Sequence, residues 1–141
     1  MRIDGNTEII AHIGYPTYAF RAPLIYNPWF AKMGINTIVV PMSCQAEPYP
    51  RFLRSVFNLG NIRGALITMP HKVCTVAMVD EVLPTAAIAG SCNAVRRLPD
   101  GRLQGEMFDG EGFVRGLKRK GFEPKGRRTL VVGAGGVGCA I

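Results

Sequence analysis

The first 79 residues alternate between short apolar runs and segments of helical period, and this alternation limits the possible folds more than any other feature. Residues 8–15 are apolar with little helical period, and Gly14 and Pro16 end them. Residues 35–42 are rich in β-branched side chains, which favour strands. Gly64 to Ile67 is a third apolar run. Between them, Pro23 to Lys32 reads as a helix. Leu24, Asn27 and Phe30 recur at helical spacing, and Gly34 stands past its end. Pro48 to Leu59 puts Phe52, Val56 and Leu59 on one helical face, with Gly60 as the stop. Pro70 lacks an N–H that a first helical turn would leave unpaired, so a third helix is expected from Pro70 to about Val79. Three strand-then-helix units in series predict an α/β fold, a mostly parallel sheet with helices on both faces.

The later part of the chain reads differently. Residues 80–89 show no clear pattern, although Pro84 suits the start of a short helix. Two short runs, 93–98 and 102–105, flank Pro99-Asp100-Gly101, and an Asp-Gly turn in that position is a hairpin signal. Asp109-Gly110-Glu111-Gly112-Phe113 leads into a helix through Lys120. A polar joint follows, then Thr129-Leu130-Val131-Val132 as an expected buried strand. That strand runs into Gly133-Ala134-Gly135-Gly136-Val137-Gly138, a G-x-G-x-x-G pattern with a strand before it and a helix start after it. In that context the glycines permit a tight turn and close approach to a pyrophosphate held at the helix N-terminus. The residues that read the ribose would lie about 20 positions on, beyond Ile141. The chain is therefore expected to be the front half of a longer protein. Its expected organisation is a domain over 1–108, a connecting helix and joint over 109–126, and the start of a Rossmann domain over 127–141.

Composition excludes several classes of function. The net charge is +7, and more than half of the lysines and arginines lie from Arg96 onward. Arg115, Lys118, Arg119 and Lys120 fall near the end of a predicted helix, where cations complement the helix dipole. Aromatics do not interleave with them as a single-stranded nucleic-acid platform would need, so no nucleic-acid partner is expected. Cys44, Cys74, Cys92 and Cys139 are far apart and only two histidines are present, so no metal site is expected. Buried free thiols in a reducing, cytoplasmic setting are the expectation. No segment has the length or apolarity of a membrane span, and residues 1–6 lack the apolar run of a signal peptide.

The chemistry concentrates at Thr68-Met69-Pro70-His71-Lys72. Thr68 stands at a strand-to-helix turn, where ligand groups gather in α/β folds. Lys72 follows at or near a helix N-terminus, whose partial positive charge disfavours an ammonium, and so it is a candidate proton-transfer group.

Taken together, these motifs resemble the shikimate dehydrogenase family, in the family's own order from Gly14 to Gly138. Gly14-Tyr15-Pro16 is similar to its Gly-x-Pro. Pro23 and Asn27 fall where it has Ser-Pro-x-x-His-Asn. Residues 68–72 match Thr-x-Pro-x-Lys, Asn93-Ala94-Val95 matches Asn-Thr-Val, and residues 109–113 match Asp-Gly-x-Gly-Phe. The resemblance implies an NADP-dependent oxidoreductase acting on a small cyclic hydroxy acid, with Lys72 and Asp109 as catalytic pair. It implies substrate contacts at Thr68 and Asn93, and NADP at Gly133, Gly135, Gly136 and Gly138. A homodimer is compatible with it. The 141-residue chain alone is expected to lack dehydrogenase activity.

The departures from the pattern lie on the substrate side. Phe20-Arg21-Ala22 stands where the family's Ser-x-Ser binds the substrate carboxylate. Leu66 replaces an Asn, and Met107-Phe108 replaces an Asn-Thr. Phe20, Ala22, Leu66, Met107 and Phe108 are expected around one pocket with Lys72 and Asp109. The loss of polar lining predicts poor use of shikimate itself. The alternatives are a non-catalytic small-molecule-binding module of the same fold, which would not need the Lys72–Asp109 pair, and another two-domain dehydrogenase acting on a folate or an aldehyde, against which the 109–113 motif argues.

Overall fold

The computed structural model describes residues 2–141. Its centre is β1 (Glu8–Gly14), with β2 (Thr37–Ser43) and β3 (Ile62–Ile67) paired in parallel on either side. Beyond β3 the sheet turns antiparallel. The hairpin of β5 (Ala94–Arg97) and β6 (Leu103–Glu106) joins β3 through β5, and the short β4 (Glu81–Val82) lies parallel to β6 at the far edge. The strand order is β2-β1-β3-β5-β6-β4. The parallel part follows from the β-then-α alternation, because a parallel neighbour can be reached only by a crossover. The antiparallel part follows from the Asp100-Gly101 turn, where Gly101 has a φ of 89°.

Register sorts the central strands into two faces. Ala11, Ala65, Ile13 and Ile67 face one side and are buried with Tyr49, Leu53 and Val56 of α2 (Tyr49–Val56). The buried face of α2 is thus Tyr49, Leu53 and Val56, not Phe52, Val56 and Leu59. Phe52 is only partly buried and Leu59 lies beyond the helix, 53% exposed. Ile10, His12, Gly64 and Leu66 face the other side.

That second side carries α1 (Ala22–Met33), which ends at Gly34 in the left-handed conformation. From α1, Asn27 holds the edge strand: its Oδ1 accepts from the Val39 N–H at 2.7 Å, and its Nδ2 donates to the Val39 carbonyl at 3.1 Å.

The segment after β3 departs from expectation. The Met69–Pro70 peptide is cis, and the His71 N–H donates to the Thr68 carbonyl at 2.9 Å, so Pro70 sits in a tight turn rather than in a first helical turn. The helix α3 (Lys72–Thr75) starts only at Lys72 and passes at once into a 3-10 turn, Val76–Met78. His71, an unremarkable position in the sequence, is buried. Its ring stacks on Tyr49 at 3.8 Å between centroids, and its Nε2 meets the Cys44 carbonyl at 2.8 Å. Tyr49 in turn shares a 2.7 Å hydrogen bond with the Thr75 hydroxyl. Burial holds the His71 imidazole below its usual pKa, against the opposing pull of the Cys44 carbonyl.

Pro84 does open a short helix, α4 (Pro84–Ala89). The last helix, α5 (Asp109–Arg119), carries Asp109 and Glu111 in its first turn and Lys118 and Arg119 in its last, as the dipole favours. Residues 129–132 are not a buried strand. Leu130 is 87% and Val132 90% exposed, because no strand among the described residues lies beside them to pair with. All four cysteines are free, but only Cys44 and Cys92 are buried; Cys74 and Cys139 are exposed. Among the described residues no helix is long and apolar enough to cross a membrane, and no group of acidic, His and Cys residues is placed to hold a metal.

Two tests of this packing follow. Asn27→Leu leaves both polar groups of Val39 unpaired and should cost about 1–3 kcal/mol, read as a lower urea midpoint. Asp80 accepts from Arg54 at 2.8 and 3.2 Å and from the Leu103 N–H at 2.8 Å, and these bonds, Arg54 first, hold its pKa down to about 2. A carboxylate depressed on folding stabilises above its unfolded pKa, about 3.9, and that contribution fades as pH falls through the folded value. Asp80→Asn should therefore lower the urea midpoint at pH 7, and the gap to wild type should close between about pH 4 and pH 2.

Candidate functional site

The parallel strands all end at one edge of the sheet, and the polar groups collect there, as α/β sheets arrange. Gly14 ends β1, and a Cβ there would lie 2.4 Å from Thr68 Cγ2, 2.6 Å from the Met69 carbonyl and 2.9 Å from the Phe20 ring. Only glycine lets the turn after β3 close onto β1. The turn is tied down by the Thr68 N–H donating to the Ile13 carbonyl at 2.9 Å and the Tyr15 N–H donating to the Met69 carbonyl at 2.8 Å.

Lys72 and Asp109 meet 37 positions apart in sequence. Lys72 Nζ donates to Asp109 Oδ2 at 2.5 Å, and the two side chains are 14% and 27% exposed. The Lys72 amine thus faces a carboxylate across a partly buried contact. Asn93 completes the constellation. Its Nδ2 donates to Asp109 Oδ1 at 2.8 Å while its Oδ1 accepts from the Phe108 N–H at 3.0 Å. Asn93 is itself fixed by its backbone: its carbonyl accepts from the Ile67 N–H and its N–H donates to the Glu106 carbonyl. Both Asp109 oxygens are therefore engaged and aimed. A partly buried ion pair of this kind is a weak device for stability. In a cleft it marks a candidate site of proton transfer.

Lys72 also borders a second feature. It lines a cleft of about 470 Å³ with Met69, Pro70, Val73 and the loop residues Gly133, Gly135, Gly136 and Gly138. The loop is docked: Ser91 Oγ donates to the Gly136 carbonyl at 2.7 Å, and a Cβ on Gly136 would lie 3.2 Å from Lys72 Cβ. Gly133 has a φ of 102°, and a Cβ on Gly138 would lie 2.2 Å from the Gly133 carbonyl oxygen. This is the close-packed turn that the glycine spacing anticipates.

The expected pocket residues divide. Leu66 and Phe20 lie on the His12 side of the sheet, Phe20 against His12 and Gly14. Phe108 is half exposed, next to Asp109. Ala22 is the first residue of α1, partly exposed. Met107 is buried in a separate cluster with Ala86 and Ala89, where its apolar side chain packs against α4. His12 and Ser91 were not singled out in the sequence. A histidine inside an otherwise apolar strand was the available signal for the first; Ser91 had none.

The family model of the shikimate dehydrogenase substrate binding domain matches residues 13–95, more than half of the chain. The chain belongs to the shikimate dehydrogenase family. Among curated relatives, a protein named shikimate dehydrogenase (NADP(+)) from Rubrobacter xylanophilus is 39% identical over 140 residues, which is 99% of this chain and 49% of the relative. Its counterpart from Geobacter metallireducens is 38% identical, over 96% of this chain and 47% of the relative. The crystal structure of shikimate 5-dehydrogenase from Listeria monocytogenes in complex with shikimate and NAD superposes with a TM-score of 0.89 at 31% identity, covering 99% of this chain and 48% of that one. The chain thus spans about half the length of the shikimate dehydrogenases it matches.

Gly14→Ala tests the close approach at this edge. The added methyl meets backbone as well as side chain, so overpacking should cost about 1–3 kcal/mol. The expected reading is a lower thermal midpoint together with displaced amide resonances at Thr68 and Met69.

Proposed function

We propose that this chain forms the substrate-binding part, and the first phosphate-binding turn, of an NADP-linked oxidoreductase that interconverts a cyclic hydroxy acid of the shikimate type and its ketone. The observation that carries this reading is Lys72, which shares one hydrogen bond with Asp109 and one cleft wall with the glycine loop. The proton-transfer group and the cofactor loop then flank one space.

The loop residues fit the cofactor. The positive φ of Gly133 and the crowding of Gly138 on Gly133 make a turn without side chains, open at Gly135. Gly133, Gly135, Gly136 and Gly138 would hold the pyrophosphate. When bound, NADP supplies hydride acceptance and donation. The protein's own task is the proton. In oxidation the substrate hydroxyl passes its proton to Lys72 in its neutral amine form as the carbon loses hydride; in reduction the Lys72 ammonium returns that proton to the developing alkoxide. Asp109 holds Lys72 in place, and Asn93 keeps the Asp109 carboxylate from rotating. Thr68 lines the turn beside them.

The substrate end differs from the family's pattern. Phe20, Ala22 and Leu66 offer no hydrogen bonds, so a shikimate carboxylate loses partners worth roughly 1.5–3 kcal/mol each. A domain division near 108 and a boundary near 126 belong to the same proposal.

Steady-state kinetics on full-length protein test it. Lys72→Ala should lower kcat by about 10²–10⁴-fold with NADP and the enzyme's own substrate, the usual range for a lost general acid or base. An unchanged kcat would leave family membership without this mechanism. Efficient turnover of shikimate by the wild type would overturn the altered-pocket part alone.

A further inference from the structure

One buried polar atom takes no part in the arrangement above. His12 is only 7% exposed, and its Nδ1 is buried with no hydrogen-bond partner among the described residues. Buried polar groups are nearly always paired, and each exception calls for an explanation. His12 lies on the β1 face shared with Leu66 and Pro41, two residues before Gly14. The Phe20 ring covers it, with ring centroids 4.1 Å apart and planes tilted by 31°. Phe20 is itself only partly buried, between the 3-10 turn Thr17–Ala19 and α1. The cover is thus a side chain at the surface end of a turn, and the residue beneath it belongs to the central strand β1.

We propose that His12 is a ligand-contacting specificity residue, concealed beneath Phe20 and engaged when a cyclic ligand with an uncharged hydroxyl or carbonyl group takes the place of that ring. The inference rests on the substrate-site reading of the Lys72 edge and deepens it.

Three observations give the chemistry of the ligand. First, burial, and after it the Lys72 charge, hold the His12 imidazole below its usual pKa. The ring is neutral near pH 7, with one donor and one acceptor. Second, its neighbours Phe20, Leu66 and Pro41 carry no side-chain charge. Third, Lys72, the cation whose charge reaches His12, is already paired with Asp109, and Arg21, next to Phe20 in the chain, is exposed. A carboxylate brought here would be desolvated without a counter-charge. A hydroxyl or carbonyl would give the orphaned Nδ1 the partner it lacks, so binding recovers a cost that the folded protein already carries.

The test uses full-length protein labelled uniformly with 15N, the His12 ring resonances being those lost in His12→Leu. The probes are shikimate and its uncharged methyl ester. The ester is expected to bind wild type more tightly than shikimate and to shift the His12 Nδ1 resonance. His12→Leu should weaken ester binding about tenfold, the range of one hydrogen bond to a buried group. His12→Gln should restore part of it, and Phe20→Ala should keep the His12 shift. If either probe moves the Lys72 and Asn93 signals while His12 stays still and His12→Leu binds as wild type does, the inference fails and the substrate-site reading stands. If neither probe moves any of the three, both fail.

Discussion

The parallel pairing of β1 with both β2 and β3 is the constraint from which the rest of the molecule follows. Three parallel strands must all end at the same edge, so Gly14, Ser43 and Ile67 deliver their following loops to one place. The loops are then locked to each other across the strand ends. The Cys44 N–H donates to the Gly14 carbonyl, the Thr68 N–H to the Ile13 carbonyl, and the His71 ring meets the Cys44 carbonyl. Lys72 stands one residue beyond His71. Its aim is therefore set by a buried stack on Tyr49 and not by the flexible chain around it.

Asp109 reaches the same point from the other half of the sheet. The antiparallel hairpin brings Asn93 beside the end of β3 and β6 beside Asn93. The chain leaving β6 then needs only Met107 and Phe108 to start α5 at Asp109. A parallel sheet alone would not do this, since its next strand end lies a whole crossover away. The change of strand direction after β3 is what shortens the path between the ion-pair partners.

Much of this was legible in the residues, for identifiable reasons. The β-then-α alternation, the Asp100-Gly101 turn, Gly34 and Pro84 are local signals, and apart from the helix expected at Pro70 the elements appear where those signals stand. The proximity of Lys72, Asp109 and Asn93 is not local, and only the resemblance of motif order pointed to it. What was missed depends on partners that a linear reading does not contain. Pro70 fits a helix start and a tight turn equally well until the Thr68 carbonyl is seen to accept from His71. Residues 129–132 have strand composition, but pairing makes a strand, and nothing among the described residues pairs with them. The buried face of α2 was displaced because Tyr49 was not counted as core.

The Asn27 clamp has an effect beyond its own two hydrogen bonds. β2 is an outer strand, and the backbone groups of Val39 that Asn27 occupies point away from β1. Two residues on, in the same outward orientation, stands Pro41, which has no N–H to offer. The middle of this border is thus closed to an incoming strand twice over, once by an amide that takes the exposed pair and once by a residue that cannot donate. A parallel, β-branched border would otherwise invite a second polypeptide to extend the sheet. In a crowded solution the molecule is protected from chain-to-chain sheet growth by the same side chain that seats its first helix.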